Sequence, residues 1–549
     1  GLTIEDLKNF RQDGSLTPGH PEYGHTVGVE ATTGPLGAGM AMAVGMAMAE
    51  AHLSSKFNKE GYPLVDHFTY ALGGDGCMME GISSEAMSLA GTLGLGKLIV
   101  LYDSNKISIE GDTEIAFTED VEKRFEAYGF QTLVVEDGNN LDEIGAAIEQ
   151  AKSDLTRPSM ITVKTKIGYG SPKEGLASAH GEPLGLDNVI SMKEKLGWPS
   201  KEPFYVPDEV YNNFKSIVSE IAKSEDVWND LFKKYTNEYP EMAALWEKYH
   251  DVNAAADLID NEDFWAFDDK AEATRNVSGK LINKLKKHLP NLFGGSADLA
   301  PSTKTYMADM GDFSKNDYSG SNLHFGVREL AMTGIGNGLA LHGGLRPYVS
   351  TFFVFSDYVK PMARLSSLMG VPLTFVLTHD SIGVGEDGPT HEPIEQLAML
   401  RAMPNFNVIR PADATECAAA WYTAASSTTT PTALVLTRQN LPQLSGSSKE
   451  ALKGGYVISD SKKDLADAII IASGSEVQLG ITAQEELAKE GIDVRVVSMP
   501  SIDIFESQSV EYKESVLPKE VRARVVVEAA SDFGWGKYVG LDGATVTMK

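Results

Sequence analysis

Cysteine is nearly absent from this sequence, since Cys77 and Cys417 are the only two among 549 residues. Two cysteines that lie far apart in apolar surroundings cannot build a disulfide framework or a cysteine-rich zinc site. Such scarcity is typical of proteins kept in a reducing compartment. We therefore expect a cytoplasmic protein.

Long apolar segments are also lacking. The nearest candidate is the Ala-, Met- and Gly-rich stretch 37–51, which is shorter than the roughly 20 residues that a membrane-spanning helix needs. Its small side chains favour a helix packed inside the protein. Residues 1–6 are mixed and polar, unlike a secretory signal peptide. The sequence therefore predicts no membrane partner.

Positive charge is scarce as well. The chain has 48 Lys and Arg residues against 77 Asp and Glu residues, a net charge of −29. This surplus disfavours general binding to nucleic acids or anionic membranes, because their phosphate groups repel it. It does not exclude small anionic substrates, because a few arginines can make one cleft locally positive.

The chain is too long for one hydrophobic core, and roughly three to four domains are expected at this length. Its first region alternates short apolar runs with helical patterns, which predicts an open parallel α/β sheet. Strands are predicted at 68–73, 98–103, 131–136 and 159–165, and helices at 83–94 and 141–152. Charged and aromatic residues at helical spacing then indicate a helical connector.

Two further α/β regions follow, separated by a loop rich in small polar residues. Strands are predicted at 291–295, 347–353, 371–377, 406–409 and 432–437, and then at 468–472, 493–498 and 523–528. The fold class is therefore α/β, with two parallel-sheet domains and a third α/β domain that ends before it is complete. We expect domains at 1–187, 188–265 (the connector), 266–445 and 446–549.

The most informative motif is Gly74-Asp75-Gly76, which directly follows a predicted strand. Glycines beside an acidic residue let the backbone pass close to a ligand. Asn105 follows the next predicted strand, and one carboxylate with one amide oxygen suits Mg²⁺ or Ca²⁺. A simple tight turn is the alternative for the tripeptide alone. The paired strand ends favour a metal–diphosphate site.

One motif is a false lead. Residues 91–98 nearly spell a phosphate-binding P-loop, but Leu98 stands where Ser or Thr is required. The segment also follows a helix and precedes a strand, the reverse of the P-loop order. We interpret its glycine as the cap that ends a helix in a left-handed conformation.

The densest polar cluster, Thr378–Pro393, contains two histidines, several carboxylates and several glycines. It follows a predicted strand, and loops at that end of a strand often carry function. Metal binding is the alternative, but the segment has neither HExxH spacing nor cysteine. Proton transfer and hydroxyl recognition fit its residues better.

Aromatic residues crowd segment 351–358, next along the chain from His324–Glu329. Such residues most often belong to the core. Beside a carboxylate and near a metal–diphosphate site, they could instead form a slot for a flat heteroaromatic cofactor. Both interpretations stay open on these residues alone.

Together these segments closely resemble transketolases, a family of thiamine-diphosphate enzymes, from residue 1 to about 549. The segments that carry the resemblance are Thr17–Glu22, Thr33–Gly37, Gly74–Gly76, Asn105–Ile107, Phe325–Glu329, Gly383–Glu395 and Arg438–Pro442. The Gly-Asp-Gly element marks thiamine-diphosphate enzymes generally. The segments around His20, His391 and Arg438 narrow the resemblance to transketolases.

The resemblance implies thiamine diphosphate with Mg²⁺, and it implies Ca²⁺ or Mn²⁺ as substitutes for that metal. Asp75, Asn105 and the carbonyl of Ile107 are the implied metal ligands, and Glu329 is implied to hydrogen-bond the aminopyrimidine ring. The other implied cofactor-binding residues are Gly34, Leu36, Gly74, Gly76, His180, Phe352, Phe355 and Tyr358. Glu80 and Glu85 resemble carboxylates that link the two cofactor sites of a dimer, although both could be ordinary surface charges.

The resemblance also implies sugar phosphates as substrates. The residues implied in proton transfer and catalysis are Glu329, His20, His180, His391 and Asp387. Those implied to bind the substrate's phosphate and hydroxyl groups are Arg275, Ser302, Asp298, His379, Asp387, His391 and Arg438. Two guanidinium groups would suit a phosphate despite the acidic chain.

The implied reaction transfers a two-carbon glycolaldehyde unit reversibly. A ketose phosphate such as xylulose 5-phosphate donates it, through a cofactor enamine, to an aldose phosphate such as ribose 5-phosphate or erythrose 4-phosphate. The implied assembly is a homodimer with active sites at the subunit interface.

Two parts of the family pattern are not found in the sequence. These are an N-terminal segment with Ser-Gly-His-Pro and Gly-His motifs, and the end of the C-terminal domain. We therefore expect either a fragment of a longer protein or a variant form. A non-catalytic remnant stays open as an alternative. So does a related enzyme such as phosphoketolase, dihydroxyacetone synthase or deoxyxylulose-phosphate synthase.

Overall fold

The computed structural model describes residues 1–548. The chain divides into two compact units. The first unit comprises residues 1–247 and 314–319, and the second comprises residues 248–313 and those from 320 onward.

The first unit is built on a four-stranded parallel sheet, as the alternating pattern predicts. Its strands are β1 (Thr69–Gly74), β2 (Leu98–Ser104), β3 (Gln131–Val135) and β4 (Ser159–Lys164). The helices along this part of the chain are α1 (Ile4–Lys8), α2 (Ala38–Phe57), α3 (Asp75–Met79), α4 (Gly81–Leu93), α5 (Val121–Tyr128), α6 (Leu141–Ser153), α7 (Leu186–Lys195), α8 (Asp208–Glu238) and α9 (Pro240–His250). The strand order is β1-β2-β4-β3.

Helix α2 contains the Ala-, Met- and Gly-rich stretch and is buried along most of its length. Its small residues allow close packing against the sheet: a Cβ added to Gly73 of β1 would lie 2.2 Å from Cε of Met40. Tight packing of this kind is typical of protein interiors. Across residues 1–548, no helix is both long enough and apolar enough to cross a membrane.

The P-loop-like segment is indeed a helix end. Helix α4 stops at Leu93, and Gly94 follows as its C-cap with a φ of 65°. Glycine reaches this left-handed conformation without steric cost. Strand β2 begins four residues later at Leu98. A P-loop is followed by a helix, so this segment is not one.

The second unit contains two sheets. Its strands are β5 (Leu292–Ser296), β6 (Asn322–His324), β7 (Arg346–Phe352), β8 (Thr374–Thr378), β9 (Asn407–Ile409), β10 (Thr432–Leu436), β11 (Tyr456–Ser459), β12 (Ala468–Ala472), β13 (Val494–Ser498), β14 (Arg524–Ser531) and β15 (Ala544–Met548). Its helices are α10 (Glu262–Trp265), α11 (Thr274–His288), α12 (Ala300–Thr303), α13 (Glu329–His342), α14 (Ser356–Met369), α15 (Gln396–Arg401), α16 (Ala414–Ser426), α17 (Val477–Lys489), α18 (Ile502–Glu506), α19 (Val510–Val516) and α20 (Gly536–Val539).

The larger sheet has the order β6-β5-β7-β8-β10-β9 and is parallel throughout. Strands β8 and β10 are buried at every residue, which suits a parallel sheet covered on both faces. The second sheet has the order β11-β13-β12-β14-β15, in which only β11 is antiparallel. The predicted α/β architecture is confirmed.

Strands β6, β11 and β15 are not predicted by the sequence pattern. Strand β6 has three residues, too few to show a period. Strands β11 and β15 are the edges of their sheet and are partly exposed. Strand β11 has only four residues, and β15 has a weak apolar signal because most of its side chains are exposed or half-buried.

Glu416 is a buried carboxylate in α16, the helix that precedes β10 of the larger sheet. It links this helix to the smaller sheet. Its Oε1 accepts hydrogen bonds from the hydroxyls of Tyr456 at 2.9 Å and Ser498 at 2.6 Å. The N–H of Ala412 donates to Oε2 at 2.7 Å. Burial, and next the negative charge of Asp413, raise the pKa of Glu416 above its ordinary value.

This raised pKa predicts a pH-dependent stability that Glu416→Gln removes. The folded protein keeps the proton at pH values where the unfolded chain has released it. The stabilisation is therefore full below the ordinary pKa of 4.5 and is lost as pH rises through the raised pKa. Between pH 5 and the raised pKa of about 7, the wild type should lose up to about 1.4 kcal/mol per pH unit relative to Glu416→Gln. Denaturant unfolding at several pH values measures this, and parallel pH profiles would contradict it.

Candidate active site

The first unit places the Gly74-Asp75-Gly76 turn at the carboxyl end of β1. Strand β1 pairs with β2 in a register that sets Gly74 beside Asp103. Asp75 opens α3 and is only 4% exposed. The two strand ends therefore meet at one edge of the sheet, where open α/β folds bind ligands.

Two hydrogen bonds hold the carboxylate of Asp75. The hydroxyl of Tyr102 donates to Oδ1 at 2.5 Å, and the main-chain N–H of Lys106 donates to Oδ2 at 3.0 Å. Burial, and next the hydrogen bond to Asp75, raise the pKa of Tyr102, so the phenol stays a donor. A carboxylate can accept about four hydrogen bonds or metal contacts in all, so Asp75 retains oxygen lone pairs for a cation.

Asn105 lies just beyond the end of β2, in the same turn as Ile107. Its Oδ1 accepts the N–H of Ile107 at 3.0 Å. Lys106, between them, has a φ of 60°, which is uncommon for a residue with a side chain. Because Lys106 also donates to Asp75, this tight turn keeps the three predicted metal ligands close together.

The glycines of the turn differ in their surroundings. A Cβ added to Gly74 would meet no neighbouring atom nearer than the carbonyl oxygen of Asp103 at 3.9 Å. A Cβ added to Gly76 would lie 2.8 Å from Cδ1 of Leu36. Packing therefore explains glycine at 76, and it brings Leu36 to the turn. The space beside Gly74 is open to a ligand.

Among the other predicted residues of the first unit, Gly34 and His20 are neighbours. Gly34 has a φ of 112°, and a Cβ on it would lie 3.5 Å from the ring of His20. His20 and His180 are exposed, and His180 follows a short 3₁₀ turn. Glu80 is exposed directly before α4, and Glu85 is half-buried within α4.

In the second unit, predicted aromatic residues and histidines form one cluster. The rings of Phe352 and Phe355 stack with centroids 6.3 Å apart, and Tyr358 lies 6.1 Å from Phe355. The ring of His379 lies 3.8 Å from Phe352, and that of His391 lies 5.6 Å from Phe355. These rings come from the end of β7, from the 3₁₀ turn and helix α14 that follow it, and from the loop after β8.

Segment 351–358 contains both core and accessible aromatic residues, and the cofactor slot stays a prediction. Phe353 is 1% exposed and belongs to the core, whereas Tyr358 is 59% exposed. Phe352 and Phe355 are half-buried. The accessible rings can therefore stack on a planar ligand.

Glu329 is the first residue of α13 and is half-buried. A helix N-terminus favours a carboxylate, because its free N–H groups carry partial positive charge. Helix α13 packs against β7 and α14, the elements that carry or flank Phe352 and Tyr358. The carboxylate and the aromatic residues thus belong to elements in direct contact.

Arg275, with the ring of His379 beside it, makes a positively charged corner in the second unit. Nη1 of Arg275 lies 3.2 Å from Nε2 of His379 and donates to the carbonyl of Ser302 at 3.0 Å. The Nε of Arg275 is buried and has no hydrogen-bond partner among the described residues. An unpartnered buried donor is costly unless a ligand satisfies it, so this corner suits an anion.

Arg438 is held by the loop after β8. It donates to the carbonyl of Val384 at 3.2 Å and forms an ion pair with Glu386. The side chain of Glu386 is 68% exposed, and exposed ion pairs contribute little. An anionic ligand can therefore take the place of Glu386. Asp387 in the same loop and Asp298 after β5 are exposed.

The electrostatics of His379 follow from these neighbours. Burial, and then the positive charges of Arg275, Arg438 and His391, lower the pKa of His379 to about 4. The ring is therefore neutral near pH 7. With Nε2 accepting from Arg275, Nδ1 carries the proton and donates to Oγ1 of Thr378 at 2.8 Å.

Backbone strain is found at predicted site residues. Asp298 and His379 have φ values of 60° and 64°, comparable to Lys106 in the metal-ligand turn. Each such conformation costs about 1–3 kcal/mol in a non-glycine residue and persists where the surroundings fix it. Strain of this kind clusters at ligand sites in proteins.

Sequence reasoning misses residues that hold the predicted ones in place. Tyr102 contacts Asp75 from within β2, and Glu386 contacts Arg438 from the polar loop. The sequence offers only their position near a strand end as a signal. Their partners are distant along the chain, so only the folded sheet identifies the pairs.

Across residues 1–548, no three side chains of His, Cys, Asp or Glu converge in a way that could hold a metal ion. The predicted ligand set does not need such a cluster. It contains one carboxylate, one amide oxygen and one main-chain carbonyl, and a diphosphate and water would complete it.

Three family models match the chain. Residues 1–253 match "Transketolase, thiamine diphosphate binding domain", residues 270–443 match "Transketolase, pyrimidine binding domain", and residues 454–549 match "Transketolase-like TK C-terminal domain". The domain boundaries stated from the sequence stay predictions.

Known proteins are similar over nearly the whole chain. The transketolase of Bacillus subtilis is 57% identical over 548 residues, which cover 99% of this chain and 82% of the relative. The solved transketolase of Leishmania mexicana has a TM-score of 0.95 and 44% identity, covering 100% of this chain and 81% of its own. The Pichia stipitis transketolase in complex with sedoheptulose-7-phosphate has a TM-score of 0.94 and 45% identity, with the same coverage. The expected absence of terminal segments stays a prediction.

The surroundings of His379 predict an imidazole that stays neutral down to about pH 5. In ligand-free protein labelled at the histidine Cε1 carbons, its NMR signal should not shift between pH 8 and 5. The reason is a pKa lowered to about 4 by burial and neighbouring positive charge. His379→Gln identifies the signal, and Arg275→Met should move its titration toward the ordinary value of 6.5. A wild-type midpoint near that value would contradict the prediction.

Proposed function

The chain belongs to the transketolase family, and from this premise we propose the substrates, cofactor ligands and residue roles of its reaction. It transfers a two-carbon glycolaldehyde unit between a ketose phosphate and an aldose phosphate. The observation that carries this proposal is the corner formed by Arg275 and His379 beside the aromatic cluster. That arrangement offers a phosphate site next to a platform for a flat ring.

The cofactor we propose is thiamine diphosphate with Mg²⁺, for which Ca²⁺ or Mn²⁺ can substitute. The open space beside Gly74 fits the close approach of a diphosphate. Asp75, Asn105 and the carbonyl of Ile107 would hold the cation through oxygen, as Mg²⁺ prefers. When bound, this cofactor supplies a carbon nucleophile for a sugar carbonyl.

Residues of the second unit would hold the ring end of the cofactor. Glu329 would share a proton with a ring nitrogen of the aminopyrimidine and so favour the imino tautomer, whose exocyclic nitrogen could act as a base. Phe352, Phe355 and Tyr358 would pack against that ring. Residues of the first unit proposed to contact the cofactor are Gly34, Leu36, Gly76 and His180.

The substrate would be oriented by charge and hydrogen bonds. Arg275 and Arg438 would bind its phosphate, with neutral His379 and Ser302 beside them. The residues proposed to contact the sugar's hydroxyl groups or move protons there are His20, His180, Asp298, Asp387 and His391. His391 could take or give a proton at a sugar hydroxyl through its ring nitrogens.

The assembly we propose is a homodimer whose active sites each use the first unit of one subunit and the second unit of the other. Glu80 and Glu85 would lie between the two cofactor sites. The cytoplasmic location expected from the scarcity of cysteine stays a prediction.

A coupled assay tests the reaction. The purified chain is incubated with xylulose 5-phosphate and ribose 5-phosphate, with and without thiamine diphosphate and Mg²⁺. Formation of sedoheptulose 7-phosphate that needs both additions supports the proposal. Acetyl phosphate in the presence of inorganic phosphate would indicate a phosphoketolase. Cofactor binding without turnover would indicate a non-catalytic remnant.

Gly74→Ala should weaken cofactor binding without weakening the fold. The added Cβ meets no chain atom closer than 3.9 Å, so the thermal midpoint of the cofactor-free protein should not fall. The methyl group would occupy cofactor space, and overpacking of about 1–3 kcal/mol corresponds to roughly 5- to 150-fold weaker binding. Calorimetric titration with thiamine diphosphate and Mg²⁺ measures this.

Gly145→Ala is the matched control for that change. Gly145 lies in α6, is exposed, and also has no atom within 4 Å of an added Cβ. It should leave cofactor affinity unchanged. Equal affinity of Gly74→Ala and the wild type would show that the space beside Gly74 is not used.

Glu329→Ala should retain the fold and lose turnover by at least about 100-fold, the lower range of general acid–base contributions. Asp75→Ala should be equally inactive because it lacks the proposed metal ligand. Mixing and reassociating the two inactive variants should restore up to roughly a quarter of wild-type activity, since half of the sites in a mixed dimer are intact. Full activity of Glu329→Ala, or no recovery on mixing, would contradict the corresponding role.

A further inference from the structure

A buried ionic cluster, outside the site described above, is centred on Arg410. This residue follows β9 and is fully buried. Its Nε donates to Oδ2 of Asp380 at 2.9 Å, and its Nη2 donates to Oγ of Ser475 at 3.1 Å. Its Nη1 donates to the carbonyl of Ser473 at 3.0 Å and pairs with Glu476. The guanidinium is therefore held on all sides.

The cluster joins two parts of the second unit. Asp380 directly follows His379 at the end of β8, whereas Ser473, Ser475 and Glu476 lie between β12 and α17. The latter residues fall within 454–549, the part that matches the C-terminal family model. Arg410 thus links the smaller sheet to the loop after β8 of the larger sheet. We call this loop, which carries His379, the substrate loop.

The packing around Arg410 is tight on the side of the smaller sheet. Gly474 has a φ of 54°, and a Cβ on it would lie 2.8 Å from Cγ of Arg410. A bidentate ion pair between Arg401 and Glu528 supports the cluster. Oγ of Ser473 donates to Glu528 at 2.5 Å. A buried pair resists displacement because unpairing leaves an uncompensated charge.

His379 needs such an anchor. Its backbone has a φ of 64°. This left-handed conformation is easy for glycine but strained for a residue with a side chain. The next residues, Asp380 and Ser381, are 2% and 1% exposed. The side chain of Asp380 therefore fixes the peptide that follows His379, and the bond to Arg410 fixes Asp380.

We propose that Asp380, Arg410 and Glu476 are positioning residues through which the C-terminal region sets the conformation of His379 and thereby phosphate recognition. This inference rests on the proposed function for its substrate, but not for its geometry. The cluster acts through His379, and none of its three members contacts the substrate.

The test uses the full chain and its dimer. Asp380→Asn and Glu476→Gln keep the size of each side chain and weaken its bond to Arg410. Each should raise KM for ribose 5-phosphate about 10-fold, with kcat retained within about twofold. With unphosphorylated ribose as acceptor, kcat/KM should stay within about twofold of wild type. Unequal effects on the two acceptors are the signature of phosphate positioning.

Glu416→Gln is the matched control. Glu416 is an equally buried carboxylate that joins the same two parts of the unit through Tyr456 and Ser498. Its hydrogen bonds do not involve the substrate loop. Its kinetic constants should change equally for both acceptors, whatever the change in thermal midpoint. A comparable selective rise of KM in this control would overturn the inference.

A second measurement does not depend on turnover. In Asp380→Asn, the NMR titration of His379 should move upward from its low midpoint, because the ring loses its fixed place beside Arg275. If the wild type forms no sedoheptulose 7-phosphate, the proposed reaction fails, and this titration still decides the inference. If Asp380→Asn does not fold, Ser475→Ala takes its place as the milder change at Arg410. An unchanged His379 titration, or an equal change in kcat/KM for both acceptors, would overturn the inference.

Discussion

The structure depends on one constraint, the shared carboxyl edge of parallel strands. In the first unit this edge brings the turn after β1 beside the turn after β2, so Asp75 and Asn105 become neighbours. In the second unit it brings the end of β7 beside the loop after β8, so Phe352 meets His379. Parallel pairing puts loops from distant parts of the chain on one side of the sheet. The chemistry of each unit follows from what those loops carry.

The ligand-binding edge of the second unit is locally positive, although the whole chain is acidic. The net charge is −29, yet burial and then the positive charges of Arg275 and Arg438 lower the pKa of His379. Arg438 and Arg410 differ in their surroundings. Arg438 has an exposed partner that an anion can replace, whereas Arg410 is enclosed by carboxylates and hydroxyls. Exposure therefore separates an arginine available for binding from one that fixes structure.

Much of the fold could be predicted because long apolar strands and glycine turns are local signals. The predicted strands at 98–103 and 468–472, for example, appear as Leu98–Ser104 and Ala468–Ala472. Gly94 ends a helix as its surroundings indicate. Strand β15 could not be predicted, because an edge strand has little apolar periodicity. The bond from Tyr102 to Asp75 and the cluster around Arg410 also escaped prediction, since no local pattern encodes a partner far along the chain.

The sequence by itself determined the family, the α/β class and the types of residue at the strand ends, because these depend on composition and short motifs. Only the tertiary structure decided which aromatic residues are core and which are accessible, as Phe353 and Tyr358 show. It also decided that His379 is neutral and strained, and that space is left beside Gly74. These properties depend on burial and on atoms brought close by folding, which the linear order of residues does not specify.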